Sequence, residues 1–476
     1  MDSPFIFILF GATGDLAKNK LIPSLFTLFK KKKLPENFYI FGFGRREITD
    51  TDFAAFFPEF ALDSLWTDFA KHLQYQQGFF DEANGYMQLV EKLQKIDKQM
   101  GACVTRIFYL ATPPNNYDAI LDNLVSSRLS EGCGQGSSKW TRIAIEKPFG
   151  KDLQTAKALD EKLAKNFEER QIFRVDHYLG KETLQNLLVF RFANGIFDPI
   201  WNKEYIDHVQ ITWNEKKGIG TRGKFFDGVG MLRDVGQNHL MQLIAAVAME
   251  MPRSFSREGV RDARSQAIKN ISCIEPDEVA SRVVRGQYKG YLDEKNVASN
   301  SSTETFVAMK FFVNSERFAH IPFYVRAGKA MGDNSVQIHI VFKQTCHILF
   351  KEIGCPEEGN VLTIRIQPNE GISLKIIAKT PSTHLSLQPV DMHFTYNESF
   401  GTKGSDAYEK ILTDIMTGDQ MLFNRSDELE ASWTFIEKII KGWEKSGEKI
   451  TSYAVGSARP DAADALIEKD GRKWIE

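Results

Sequence analysis

From Phe5 to Phe10 the chain is an unbroken apolar run, FIFILF, that stops at Gly11 and is followed by Leu21, Leu25, Leu28 and Phe29 at helical spacing. A strand apolar at every position needs both faces buried, so it belongs inside a parallel sheet covered by helices. Phe38 to Phe43 repeats the signal and completes a βαβ unit. Ile107 to Leu110 and Ile143 to Ile145 read as further buried strands, each ending in a proline-containing turn. The pattern predicts an α/β domain over residues 1–175. Beyond Val175 the order changes. Helical segments at Thr183 to Arg191 and Met231 to Met251 precede alternating runs at Glu304 to Val313, Ser335 to Phe342, Val361 to Gln367 and Ser373 to Ala378. A last helical stretch lies around Ala431 to Trp443. Helices followed by strands in series predict an α+β domain over residues 176–476 with a large, mostly antiparallel sheet. A chain of 476 residues accommodates two such domains.

Charge narrows the partners. The chain carries 60 basic and 62 acidic residues, a net charge of −2, so no global field recruits nucleic acid or an anionic membrane. Any anionic ligand must be met by a local cluster. The start, MDSPFIFILF, carries Asp2 and no basic stretch, and reads as a strand rather than a signal segment. Leu240 to Met251, the longest later apolar stretch, is too short to span a bilayer. The five cysteines, Cys103, Cys133, Cys273, Cys346 and Cys355, are scattered and form no CxxC pair. That usage argues against a disulfide framework or a zinc site and fits a reducing cytoplasm. No bound metal is expected.

Gly11-Ala12-Thr13-Gly14-Asp15-Leu16-Ala17 sits between the first strand and the first helix as GxxGxxA. Gly11 suits the tight turn, Gly14 a backbone approach to pyrophosphate, and Ala17 close helix packing. The same residues would also serve a plain glycine turn; their place between strand and helix favours phosphate. The second strand ends in Arg45 and Arg46, where an acidic residue would hold a free ribose hydroxyl. Guanidinium forks bind phosphate, which favours NADP over NAD unless both arginines are merely exposed loop residues. The Thr13 hydroxyl could also reach the ribose phosphate.

Two further segments concentrate chemistry. Asp176, His177, Tyr178 and Lys181 lie together in RVDHYLGKE, and His177, Tyr178 and Lys181 make a donor set suited to a phosphate dianion. Asp234 and His239 lie in RDVGQNH, ahead of an apolar helix face of Leu240, Leu243, Ile244 and Val247. A lone histidine there serves as a core residue or as a base, and Asp234 could cap the helix. Five residues apart on an α-helix, Asp234 and His239 do not share a face.

GATGDLAKNKL, EKPFG, RVDHYLGKE, RDVGQNH and RAGKA follow one another in the order found in glucose-6-phosphate dehydrogenases, and the chain resembles that family from about Ile8 to the GRKW near its end. The resemblance implies a Rossmann domain followed by a β+α domain. It implies oxidation of glucose 6-phosphate to 6-phosphoglucono-lactone with NADP, the first oxidative step of the pentose phosphate pathway. By the same resemblance His239 is the general base and Asp176 its partner carboxylate. His177, Tyr178 and Lys181 bind the sugar phosphate, and Lys147, Glu215, Asp234 and Lys329 hold the hexose hydroxyls. Gly11, Thr13, Gly14, Asp15, Lys20, Arg45, Arg46 and Lys147 bind the cofactor, with Lys20 between the two phosphates. Lys147-Pro148 matches a cis peptide, and Tyr408 a position on the substrate side. A homodimer or dimer of dimers through the large sheet is implied as well. The chain departs from the family in two places. Gly332, Asp333, Asn334 and Ser335 supply no second lysine after Lys329. Of the positions for a second, structural NADP, Arg365, Lys375 and Trp474 match, whereas Gln337 and Ser373 do not. Glucose–fructose or inositol dehydrogenase-type enzymes share a dinucleotide domain and an EKP motif, but RVDHYLGKE and RDVGQNH discriminate against them. A non-catalytic dinucleotide sensor would have no need to keep Asp176, His239, Lys181 and Lys147 together.

Overall fold

A computed structural model describes residues 3–101, 103–132, 141–356, 359–401, 406–447 and 450–476. Met1, Asp2 and Cys133 lie outside the described residues. The chain divides into two compact units: residues 1–180, 256–258 and 405–426, and residues 181–255, 259–404 and 427–476.

The first unit holds a six-stranded sheet of β1 (Phe5–Phe10), β2 (Phe38–Gly44), β3 (Leu73–Gln77), β4 (Thr105–Leu110), β5 (Thr141–Glu146) and β6 (Ile172–Val175). The order is β3-β2-β1-β4-β5-β6 and every pairing is parallel, which is the doubly wound dinucleotide-binding topology. All residues of β1 are buried, as its unbroken apolar run requires. Strand order reverses at β1, so the Gly11 turn opens at the crevice between β1 and β4. Residues 405–426 return to this unit. Arg142 donates to the carbonyls of Ile415 and Met416, Gln420 to those of Glu169 and Ile172, and Phe423 packs on Phe173 at 4.8 Å.

The second unit is built on a nine-stranded sheet of β7 (Ile206–Glu215), β8 (Val283–Tyr288), β9 (Phe306–Phe311), β10 (Phe323–Lys329), β11 (Ser335–Phe342), β12 (Val361–Gln367), β13 (Gly371–Lys379), β14 (Leu387–Thr395) and β15 (Thr451–Tyr453). Its order is β14-β13-β12-β11-β7-β10-β9-β8-β15. The pairings are antiparallel except β7 with β10 and β8 with β15. An α/β Rossmann domain followed by an α+β domain with a large, mostly antiparallel sheet is therefore the architecture. Two of the expected strands, Ser335 to Phe342 and Val361 to Gln367, coincide with β11 and β12.

Two expectations are corrected. Cys346 and Cys355 form a disulfide, their Cα atoms 5.8 Å apart. The loop between β11 and β12 doubles back to bring them together, a path that cysteine spacing does not encode, and the argument from cysteine usage to a reducing compartment falls with it. The helix expected from Met231 is not α-helical throughout. Leu232–Leu240 is wound with wide i→i+5 turns before α-helix resumes at Met241–Ala248. The Asn238 amide donates to the carbonyls of Arg233 (3.4 Å) and Asp234 (3.1 Å), while its Oδ1 accepts the His239 N–H at 2.6 Å. A side chain inserted into the ladder in this way widens the turn. Asp234 and His239, divergent on an α-helix, are thereby carried toward one side.

Candidate active site

In the first unit, Gly11 has φ +81°, and its N–H donates to the Phe43 carbonyl at the end of β2. A Cβ there would lie 2.5 Å from the Ala111 carbonyl oxygen, so the turn tolerates only glycine. Gly14 is exposed, Thr13 half-buried and Asp15 exposed at the start of the following helix, while Ala17 is fully buried against the sheet. Arg45 and Arg46 are exposed just beyond β2, with the Arg46 guanidinium 5.2 Å over the Phe56 ring. β1 and β2 pair in register from Phe5↔Phe38 to Phe10↔Phe43, so the glycine turn and the arginine pair emerge from the same edge of the sheet. A bare turn backed by a helix start, with two guanidinium groups one strand away, fits a dinucleotide.

The end of β5 carries Glu146, Lys147 and a cis bond between Lys147 and Pro148, as expected. Glu146 is buried. Its Oε1 accepts the phenol hydroxyls of Tyr109 (2.5 Å) and Tyr408 (3.2 Å), and its carbonyl accepts that of Tyr117 (2.8 Å). Burial pushes the Glu146 carboxyl up to about 7, against the lowering effect of the two phenol hydrogen bonds. The Tyr408 ring stacks on the His177 imidazole at 6.0 Å and 12°. Asp176 is almost fully buried and its Oδ1 accepts the Tyr178 N–H at 3.0 Å. Lys20 pairs with Asp406 at 2.9 Å; burial raises that carboxyl, but the Tyr408 N–H and Lys20 outweigh it and hold it below the usual range. Lys20, Asp406, Tyr408, His177 and Glu146 are thus joined in one chain of contacts. Tyr109 and Glu146 thus belong to this chain of contacts, Glu146 as the first residue of the EKPFG motif and Tyr109 from within the buried strand β4.

In the second unit, β7 and β10 run parallel with Glu215 opposite Lys329 and Trp213 opposite Ala327. Lys329 is completely buried. Its ammonium lies 2.6 Å from Glu215 Oε2 and 3.4 Å from Asp234 Oδ2, and the Lys329 carbonyl accepts the Tyr453 hydroxyl at 2.7 Å. The His239 imidazole, also buried, lies parallel to the Trp213 indole at 5.2 Å and 3°. Glu304 anchors the helix that carries Asp234 and His239: its Oε1 accepts the Leu232 N–H at 3.0 Å and its carbonyl the Met231 N–H at 2.9 Å. The Lys181 ammonium donates to Gln367 Oε1 at 2.6 Å. Asp333, in the segment without a second lysine, accepts from the Asn214 amide at 2.6 Å.

The structure therefore gathers Glu215, Asp234 and Lys329 into one polar cluster beside His239, and His177 and Tyr178 beside Asp176 in the other unit. Trp213 and Glu304 belong to the site without standing in any of the motifs. The alternation of Val209, Ile211 and Trp213 would have revealed β7, whereas nothing local marks Glu304 as a helix anchor.

Burial pushes the Glu304 carboxyl from its ordinary value of 4.5 up to about 7, opposed by the Leu232 N–H. The folded state thus holds this proton more tightly than the unfolded chain, and the associated stability is present below 4.5 and lost as pH rises through about 7. Glu304→Gln, which mimics the protonated group, is expected to gain thermal stability relative to the parent progressively across that window. A melting-temperature difference that stays constant from pH 5 to about 8 would contradict this.

Residues 8–186 match the family model described as glucose-6-phosphate dehydrogenase, NAD binding domain, and residues 188–475 the one described as glucose-6-phosphate dehydrogenase, C-terminal domain. The chain is 42% identical over 493 residues to glucose-6-phosphate 1-dehydrogenase of Chlamydia pneumoniae, covering 99% of this chain and 96% of that protein. It is 39% identical over 486 residues to the protein of the same name from Borreliella burgdorferi, covering 98% of each. A solved glucose-6-phosphate dehydrogenase in complex with its substrate glucose-6-phosphate is similar with a TM-score of 0.91 and 34% identity, over 100% of this chain and 99% of that one. Glucose-6-phosphate 1-dehydrogenase from Mycobacterium avium is similar with a TM-score of 0.85 and 31% identity, over 99% of both chains. With both domain models matched in order and these relatives aligned over nearly their whole length, the chain belongs to the glucose-6-phosphate dehydrogenase family.

Proposed function

We propose that this protein oxidises glucose 6-phosphate at C1 to 6-phosphoglucono-lactone, with NADP as the cofactor. The observation that carries the reading is the buried Lys329 between Glu215 and Asp234, on the same helix-and-sheet surface that holds His239. Such a cluster offers fixed donors and acceptors to sugar hydroxyls beside a group able to take a proton. Bound NADP would supply the hydride acceptor. His239 removes the C1 hydroxyl proton onto a ring nitrogen, and Asp176 supports the imidazolium that results. Glu215, Asp234, Lys329 and Lys147 hold the hexose hydroxyls, which selects among sugars because a missing hydroxyl leaves a buried partner unsatisfied. His177, Tyr178 and Lys181 take the 6-phosphate.

For the cofactor, Gly11, Thr13, Gly14 and Asp15 hold the pyrophosphate turn, Arg45 and Arg46 the 2′-phosphate, and Lys20 and Lys147 face the substrate side. In this reading residues 1–175 form the NADP-binding domain and residues 176–476 the substrate domain. The reading includes a cytoplasmic location, which rests on the likeness to the family and not on cysteine usage, and a homodimer or dimer of dimers through the large sheet. Support for the latter comes from the edge strand β14, where Val390 and Met392 are exposed.

The test is a paired assay of nicotinamide reduction with glucose 6-phosphate and either NADP or NAD, without added metal. NADP is expected to be reduced much faster, and unphosphorylated glucose to be a poor substrate. Absence of reduction with either cofactor refutes the assignment. In the same assay Arg45→Ala and Arg46→Ala together are expected to lower kcat/KM for NADP about 10- to 100-fold, the loss of charge-assisted bonds to one phosphate. The NAD rate should change little. An equal loss with both cofactors would remove the arginines from 2′-phosphate recognition.

A further inference from the structure

We propose that Trp213 is a positioning residue for the oxidation, one that fixes the plane of the His239 imidazole and ties it to the sugar-binding carboxylate Glu215. The inference rests on the function proposed above and adds a residue to it. Trp213 and His239 are both about 3% exposed, and their rings are parallel to within 3° at a centroid separation of 5.2 Å, an offset stack. Trp213 reaches this position because β7 alternates its side chains, placing Val209, Ile211 and Trp213 on one face. The indole N–H donates to Glu215 Oε1 at 3.3 Å. Glu215 accepts Lys329 through its other oxygen, Lys329 reaches Asp234, and Asp234 stands on the helix that bears His239. The contacts close a ring that contains both the base and the sugar-binding groups.

Each part of the indole has a separate consequence. Its face restricts rotation of the imidazole, and it becomes more attractive once the imidazole is protonated, because the π cloud then faces a cation. That preference for the charged ring favours proton uptake. The N–H instead restrains Glu215, which acts on the sugar before and during the reaction. Loss of the face should therefore appear in kcat, and loss of the N–H in KM.

Two substitutions separate these effects. Trp213→Phe keeps an aromatic face and removes the donor. It is expected to hold kcat within about threefold of the parent while raising KM for glucose 6-phosphate about 5- to 10-fold. Trp213→Leu removes the face as well and is expected to lower kcat about 10- to 30-fold in addition. In a Glu215→Gln background the phenylalanine variant should add little to KM, since the bond is already weakened. Thermal unfolding and NADP binding confirm that each variant is folded. An active parent whose two variants share one kcat, or whose phenylalanine variant keeps the parental KM, overturns the role of Trp213 and leaves the proposed function standing. A parent that does not oxidise glucose 6-phosphate overturns both.

Discussion

Replacing His239 by asparagine is expected to lower kcat by roughly 10²- to 10⁴-fold, the range for loss of a general base, with glucose 6-phosphate and NADP still bound. His239 is buried, its backbone N–H is already satisfied by Asn238, and its ring meets Trp213 through a face rather than through a hydrogen bond. Asparagine preserves the helix, which depends on the Asn238 side chain and on Glu304, while offering no nitrogen basic enough to take the C1 hydroxyl proton. Steady-state kinetics together with direct binding measurements check the prediction. A variant that loses substrate affinity but turns over at the parental rate would show that His239 binds and does not abstract.

Lys329→Met is expected to have the second largest effect, and on two observables. The lysine ammonium is fully buried and lies within reach of both Glu215 and Asp234. Methionine fills a similar volume but removes the buried positive charge that both carboxylates contact. Removing one partner of a fully buried ion pair costs about 3–5 kcal/mol, and the partial exposure of Glu215 reduces this to about 2 kcal/mol here. Without the ammonium the site cannot present the same pattern to sugar hydroxyls, so KM for glucose 6-phosphate is expected to rise about 100-fold, comparable to the loss of a charged hydrogen bond. Adding Glu215→Gln separates the two effects. The double variant should recover part of the thermal stability, because one of the two carboxylate charges is gone, but none of the affinity. Recovery of both would mean that the lysine serves only the fold.

Parts of this site were open to inspection in the sequence. The GATGDLA turn fixes its own place between strand and helix, because Gly11 needs a left-handed backbone and has a carbonyl oxygen where a Cβ would stand. RVDHYLGKE and RDVGQNH carry their reactive groups within a few residues of each other, so their existence as clusters needs no tertiary contact. The winding of the RDVGQNH helix was different. α-Helical periodicity separates Asp234 from His239, and only the insertion of the Asn238 amide into the backbone ladder turns them toward one side. A short polar side chain in a helix is compatible with either winding, and the surrounding packing chooses between them.

Long-range register was likewise beyond local reading. Lys329 faces Glu215 because β10 and β7 pair in parallel with Tyr324 opposite Gln210 and Val325 opposite Ile211, a choice made over the whole strand face. Tyr408 reaches Glu146 because residues 405–426 fold back on the first unit through Arg142 and Gln420, whose amide and guanidinium donors are spent on distant carbonyls. The Cys346–Cys355 link arises in the same way, from the path of a loop. Elements whose signals are periodic or steric are legible along the chain: the buried parallel strands, the glycine turn, the arginine pair after β2 and the reactive clusters. Folding in three dimensions settles which carboxylate meets which cation, which ring backs the histidine and how its helix is wound, because those depend on contacts among separate elements, as between Glu215 and Lys329, 114 positions apart.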